Sequence, residues 1–311
     1  MGRRARTHAL TANRRPFPLV PRRRFAGTPF GERRTSRRGR GSDVAATRPY
    51  VPGDRISTID WRASARLSSA RDSDEFVVRE TFLEEAPRVL VVEDRRPPMG
   101  FYRPPLPWLD KHAAVLAAVE AIAHSAVAAR AEAGHAAVAR GRVRLVAPGS
   151  IAPACIVERV RTASLDAPAG SLEAVLRSLL SRRRQIPQST FLFVISDFID
   201  AIAPATLVRL QRAKWDVVPV VVQDPTWEQS FPEVGGAAVP FAGASGETAL
   251  VRLSRAECAR LRQANEERLA TTLRRFRRLG FDPLVLGDAE PSAVGAAFLK
   301  WAERRRIRSR R

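Results

Sequence analysis

Three short apolar runs constrain this chain most: Arg88–Val92 (RVLVV), Phe191–Ile195 (FLFVI) and Trp215–Val222 (WDVVPVVV). They are continuous and do not alternate, as expected for strands covered on both faces. Stretches of helical character separate them, at Leu109–Ala131, Ile151–Thr162, Ser171–Arg182, Ala203–Arg212 and Leu253–Leu279. Two strand-like pieces flank Gly141, Asp282–Leu286 reads as a last short strand, and Ser292–Arg304 as a closing helix. Apolar runs alternating with helices imply an α/β fold with a doubly wound, mostly parallel, Rossmann-like sheet.

The region before the first run reads differently. Residues 1–42 hold thirteen arginines against the single acid Glu32 and lack apolar periodicity, so they predict a basic flexible arm. Residues 43–86 predict a β-rich segment: Pro52-Gly53-Asp54 is a strong turn signal, and Ile56–Trp61 and Glu75–Phe82 suggest short strands. Residues 87–304 form the α/β domain, and 305–311 a basic tail. The formal net charge of +21 comes almost wholly from arginine, lysine occurring only at 111, 214 and 300. Basic ends of this kind attract nucleic acid, anionic lipid or acidic protein surfaces. No RNP sequence or zinc finger accompanies them.

Several classes fall away. Two cysteines, Cys155 and Cys258, give neither a disulfide framework nor metal-ligand spacing. The N-terminus lacks the apolar stretch of a signal peptide. Ala113–Ala129 is short, Ala-rich and carries Glu120 and His124, so it predicts a soluble core helix and no membrane span. The phosphate loop, the dinucleotide fingerprint and the nucleophile elbow are all missing. His8, His112, His124 and His135 show no metal spacing, and no catalytic residue emerges.

In a doubly wound sheet, ligands collect at the carboxyl ends of the strands. Two such ends carry acids, Glu93-Asp94 and Ser196-Asp197 with Asp200 beyond. Paired acids beside a hydroxyl suit a hard cation such as Mg²⁺. Strand-end aspartates also cap helices or bind loop amides, and the residue types alone leave both readings open.

The segment Arg48–Arg66, RPYVPGDRISTIDWRASAR, resembles the signature of the bacterial family called domain of unknown function 58. The resemblance is carried by Arg48, Tyr50, Pro52-Gly53-Asp54, Asp60-Trp61-Arg62, Ser64 and Arg66, with Gly39-Arg40-Gly41 upstream and Glu80 downstream, and it extends from Phe30 to about Leu286. It implies a domain similar to the von Willebrand factor type A fold, in which an Asp-x-Ser-x-Ser loop commonly holds Mg²⁺. This chain departs from that loop: after Asp94, Arg96 and Pro98 stand at the serine positions. Proline has no side-chain oxygen, and a like charge about 4 Å from a cation costs roughly 4 kcal/mol at an effective dielectric of about 20. The metal site is therefore expected to be degenerate, with Asp94, Ser171 and Asp197 as its remnants and Arg95 or Arg96 as the partner of Asp94. No cofactor is expected.

The resemblance further implies a non-enzymatic adaptor acting beside a MoxR-type AAA+ ATPase on a client protein. It would be cytoplasmic or peripheral at the inner face of the membrane. The Arg48–Arg66 signature would either dock the ATPase or pin the β-segment through ion pairs around Asp60. The rival class is a binding module whose basic arms contact nucleic acid or anionic membrane.

Overall fold

The computed structural model describes residues 15–22, 44–52, 54, 56–71, 75–81, 86–242 and 248–308. Gly53, Gly39-Arg40-Gly41, His8 and most of the expected arm lie outside the described residues, as do 309–311. The chain divides into two compact units, Arg23–Ala86 and the combination of Met1–Arg22 with Pro87–Arg311.

The smaller unit pairs β1 (Val44–Pro49) antiparallel with β2 (Val77–Thr81), with α1 (Trp61–Arg71) between them in sequence. The strands expected over Ile56–Trp61 and Glu75–Phe82 are only partly realised. Ile56–Thr58 is a single 3₁₀ turn and Trp61 opens a helix. The reason is Asp60, whose Oδ1 accepts from the backbone N–H groups of Arg62 and Ala63 and so caps the helix start.

The larger unit runs β3 (Arg88–Glu93), α2 (Lys111–Ala128), β4 (Glu132–Ala139), β5 (Arg142–Ile151), α3 (Pro153–Arg161), α4 (Ser171–Ser181), β6 (Phe191–Ser196), α5 (Pro204–Arg212), β7 (Asp216–Val222), β8 (Ala238–Ala242), β9 (Thr248–Arg252), α6 (Arg255–Arg278), β10 (Leu284–Leu286) and α7 (Pro291–Arg308). Its main sheet has the order β10-β7-β6-β3-β4-β5. Every neighbouring pair is parallel except β4–β5, a hairpin turned at Arg140 and Gly141. Both turn residues have positive φ, 51° and 68°, as the strand-compatible two-residue turn demands, and glycine takes one of them without a Cβ penalty.

The apolar runs are covered on both faces. Val89, Val91, Phe193, Ile195 and Val220 pack with α2, α3 and α7. Their neighbours Leu90, Val92, Leu192, Val194 and Val221 pack with α4, α5 and α6. The period-2 alternation of strand side chains thus feeds two separate cores, and the doubly wound α/β architecture is realised.

Two expectations for the basic ends need correction. Residues 15–22 are not a free arm: Phe17 is buried, stacks on Phe298 at a centroid distance of 4.7 Å and meets Trp301 edge-on. The tail does not begin at 305, because α7 continues to Arg308. Arg305 is buried in a bidentate pair with Asp216 (2.8 and 2.9 Å), bonds Asp282 and lies over the Trp301 ring. Two arginine-rich stretches conceal structural residues because burial of a guanidinium is compensated by fixed carboxylates. The pair β8–β9 lies within a stretch that reads in sequence as a glycine-containing loop.

Candidate functional site

Chain order reverses direction in the sheet between β3 and β6, since β3 leads through α2 to β4 on one side while β6 flanks it on the other. The carboxyl ends of these two strands form the crevice where doubly wound folds bind ligands. The ladder extends one residue past β3, Asp94 N–H donating to Ile195 O at 3.0 Å, which brings Asp94 beside Ser196 and Asp197.

The guanidinium of Arg96 fills the space between these acids. Its Nε donates to both Asp94 oxygens at 3.0 Å, and one terminal nitrogen reaches Asp94 Oδ2 at 2.6 Å and Asp197 Oδ1 at 2.8 Å. The other terminal nitrogen pairs with Asp200 at 2.6 Å. Ser196 Oγ donates to Asp94 Oδ2 at 2.7 Å. Asp94, Arg96 and Asp197 are buried, whereas the Asp200 side chain is half exposed at the rim. Burial works against the Arg96 charge, but the Asp94 hydrogen bond and the charges of Asp197, Asp94 and Asp200 outweigh it and raise its pKa.

A second cation completes the crevice. Lys111, the first residue of α2, is fully buried and bridges Asp197 Oδ2 (2.9 Å) and Glu228 Oε1 (2.7 Å). A lysine at the positive end of a helix is electrostatically costly, and these two carboxylates offset it. Burial raises the Asp197 pKa, but the charges of Lys111 and Arg96 more than reverse this and hold it below the usual range. Glu228 moves the other way, because burial exceeds the pull of Lys111. Asp224 anchors the surrounding loop: its carboxylate accepts from Leu109, Thr226 and Trp227 backbone N–H groups.

Arg95 belongs to a separate cluster. It donates to Glu93 Oε2 at 2.8 Å, and His135 Nε2 lies 3.1 Å from the same oxygen. Of the two arginines that the sequence left open for Asp94, Arg96 takes it and Arg95 faces Glu93. Ser171 is buried as the first residue of α4, where Gly170 occupies the cap position. Its hydroxyl makes no hydrogen bond to Asp94 or Asp197. Lys111 and Glu228 escaped the sequence reading. A signal existed for Lys111, since a chain that uses arginine nearly everywhere keeps lysine there.

The signature segment forms a second constellation. Arg48 and Asp54 make the bidentate pair, 2.7 Å on each arm, and Asp54 also accepts from Val51 N–H. The Arg48 hydrogen bond first, and then the Val51 bond, pull the Asp54 pKa down to about 2. Asp60 is the cap of α1 and not the centre of the Arg48–Tyr50 cluster that the sequence suggested. Ser64 is buried, donates to Asp60 O and accepts from Val77 N–H, which pins α1 to β2. Tyr50 and Trp61 both meet the Phe76 ring edge-on. Trp61 is 58% exposed, and Val51, Ile56 and Phe76 are exposed too. Pro52, Arg62 and Arg66 are exposed.

A doubly wound sheet with an acid-lined crevice at its switch point defines an α/β domain of the von Willebrand factor type A-like kind. The family model described as "Protein of unknown function DUF58" matches residues 46–272, and the chain belongs to that family. A search of curated proteins finds no match. Among solved structures, the chain is similar to the conserved hypothetical protein BatB from Bacteroides thetaiotaomicron, with 11% identity, TM-score 0.39 and coverage of 70% of this chain and 100% of that one. It is similar to an aerotolerance-related membrane protein from Bacteroides fragilis, with 11% identity, TM-score 0.40 and coverage of 70% and 99%. It also resembles the pilus adhesin SpaC from Lactobacillus rhamnosus GG, with 11% identity, TM-score 0.42 and coverage of 71% and 31%. Likeness at this level does not extend to function. Among the described residues, no helix is long and apolar enough to cross a membrane.

Proposed function

We propose that this protein is a non-enzymatic adaptor whose type A-like metal site is degenerate, and that it acts with a MoxR-type AAA+ ATPase in assembling or maturing a client protein. The observation that carries this reading is Arg96, whose guanidinium is held by Asp94, Asp197 and Asp200 where a metal-ion-dependent site would hold its cation. The donor set does not suit Mg²⁺. The carboxylates are already paired, Pro98 supplies no side-chain oxygen, and the Ser196 hydroxyl is spent on Asp94. Among the described residues, no group of three or more His, Cys, Asp or Glu is arranged to hold a metal.

The docking half of the proposal rests on the signature segment. Its exposed aromatics, Trp61 and Phe76, flank exposed arginines, and Trp, Tyr and Arg are the residues that most often dominate binding energy at interfaces. Under this reading the protein works in the cytoplasm, or peripherally at the inner face of the membrane. The rival, basic arms that bind nucleic acid or anionic membrane, has less support. Phe17 and Arg305 lie within those ends and serve the fold.

Pull-down from the native host tests the partnership. Recovery of a MoxR-type ATPase is expected, reduced by Trp61→Ala at unchanged melting temperature. If no such ATPase is recovered, or the Trp61→Ala protein captures it as well as wild type, the docking reading fails.

A further inference from the structure

Away from the crevice, α5 and α6 enclose a cavity of about 500 Å³. Pro204 and Val208 line it from α5, and Thr271, Arg274, Arg275, Arg278 and Leu279 from α6 and its end. Three guanidinium groups border it and no acid does. Arginines in the last turn of a helix do complement its dipole. That explains their presence but not the state of Arg275, whose Nη2 is buried without a hydrogen-bond partner. Buried guanidinium N–H groups are almost always bonded, because leaving one unsatisfied is costly. Arg274 already donates to Thr271 Oγ1 at 2.8 Å, so Arg275 supplies the open donor.

We propose that this cavity binds a small amphipathic anion, an aliphatic monocarboxylate whose chain lies on Pro204, Val208 and Leu279 and whose head accepts from Arg275. The volume falls in the range of small-molecule sites, and the combination of an apolar lining with a few polar groups is typical of them. Charge complementarity selects the head: a carboxylate matches the guanidinium fork in a bidentate way. The site does not depend on the ATPase reading, so either can fail without the other.

The test is calorimetric titration of the full chain with decanoate below its micellar concentration. Saturable one-to-one binding is expected, with affinity rising about fourfold per added methylene from octanoate to decanoate. Acetate and decanol, which lack the chain and the charge respectively, should bind at least about tenfold more weakly, the scale of one charge-assisted hydrogen bond. Arg275→Gln should weaken decanoate by the same factor, and Val208→Trp, which fills the cavity, should abolish it. Circular dichroism confirms that both variants are folded. The proposal is overturned if wild type gives no saturable binding, or if neither variant changes the affinity. An acidic peptide that saturates the site while decanoate does not would also overturn it in favour of a protein ligand.

Discussion

Replacing Arg96 with methionine removes the cation of the crevice while keeping much of the side-chain volume. Asp94 would lose the bonds from Nε and the terminal nitrogen and retain Ser196 Oγ and the residue-96 backbone N–H. Asp197 would keep Lys111 and the Ile199 N–H, so most of the penalty falls on Asp94. Breaking a buried pair by removing one partner costs about 3–5 kcal/mol. For a unit of this size that corresponds to a melting temperature lower by about 6–20 °C. The penalty should depend on pH with a definite sign. An unpaired buried Asp94 has its folded pKa raised above the unfolded value of about 3.9, so the folded variant binds the extra proton and its stability falls as pH rises. Arg96→Met should therefore approach wild-type stability below about pH 4 and fall furthest behind above that. Adding Asp94→Asn should recover part of the loss, because a neutral pair leaves no bare charge. Urea denaturation followed by circular dichroism, at several pH values, reads all of this. Equal midpoints for wild type and Arg96→Met across the pH range would refute the reasoning.

Other substitutions probe the remaining supports. Lys111→Met strips the shared partner of Asp197 and Glu228 and should cost about 3–5 kcal/mol in the same assay; a change below about 1 kcal/mol would mean that the bridge contributes little. Phe17→Ala should destabilise the larger unit by about 3–5 kcal/mol, since the ring stacks on Phe298 within the core; an unchanged midpoint would show that residues 15–22 are not anchored. The Asp54 carboxyl should titrate at about 2 by carbon NMR. A depressed acid stabilises the folded state above its unfolded pKa, so its contribution should persist at pH 4 and vanish as pH falls through about 2. A titration midpoint at its model value of 3.8 would contradict the Arg48 pair.

Much of the larger unit was legible because fully buried strands write themselves as continuous apolar runs, and the two cores absorb alternate residues of each run. The partner of Asp94 was narrowed to two arginines because the hydroxyls of a metal loop are missing. Choosing between them required the pleat, which turns Glu93 and Asp94 to opposite sides. Lys111 and Glu228 stayed hidden because a long-range bridge, 117 residues apart, leaves no local pattern. The smaller unit was misjudged at Trp61 because an aromatic residue raises strand propensity, while the Asp60 cap fixes a helix. Phe17 and Arg305 were masked by the basic composition around them.

The degenerate site is tested most directly by titrating Mg²⁺ and Mn²⁺ into the full wild-type chain at neutral pH in a calorimeter. With Arg96 seated among Asp94, Asp197 and Asp200, no saturable binding is expected for either ion. Micromolar binding that disappears in Asp94→Ala would contradict the assignment of Arg96 as the resident cation.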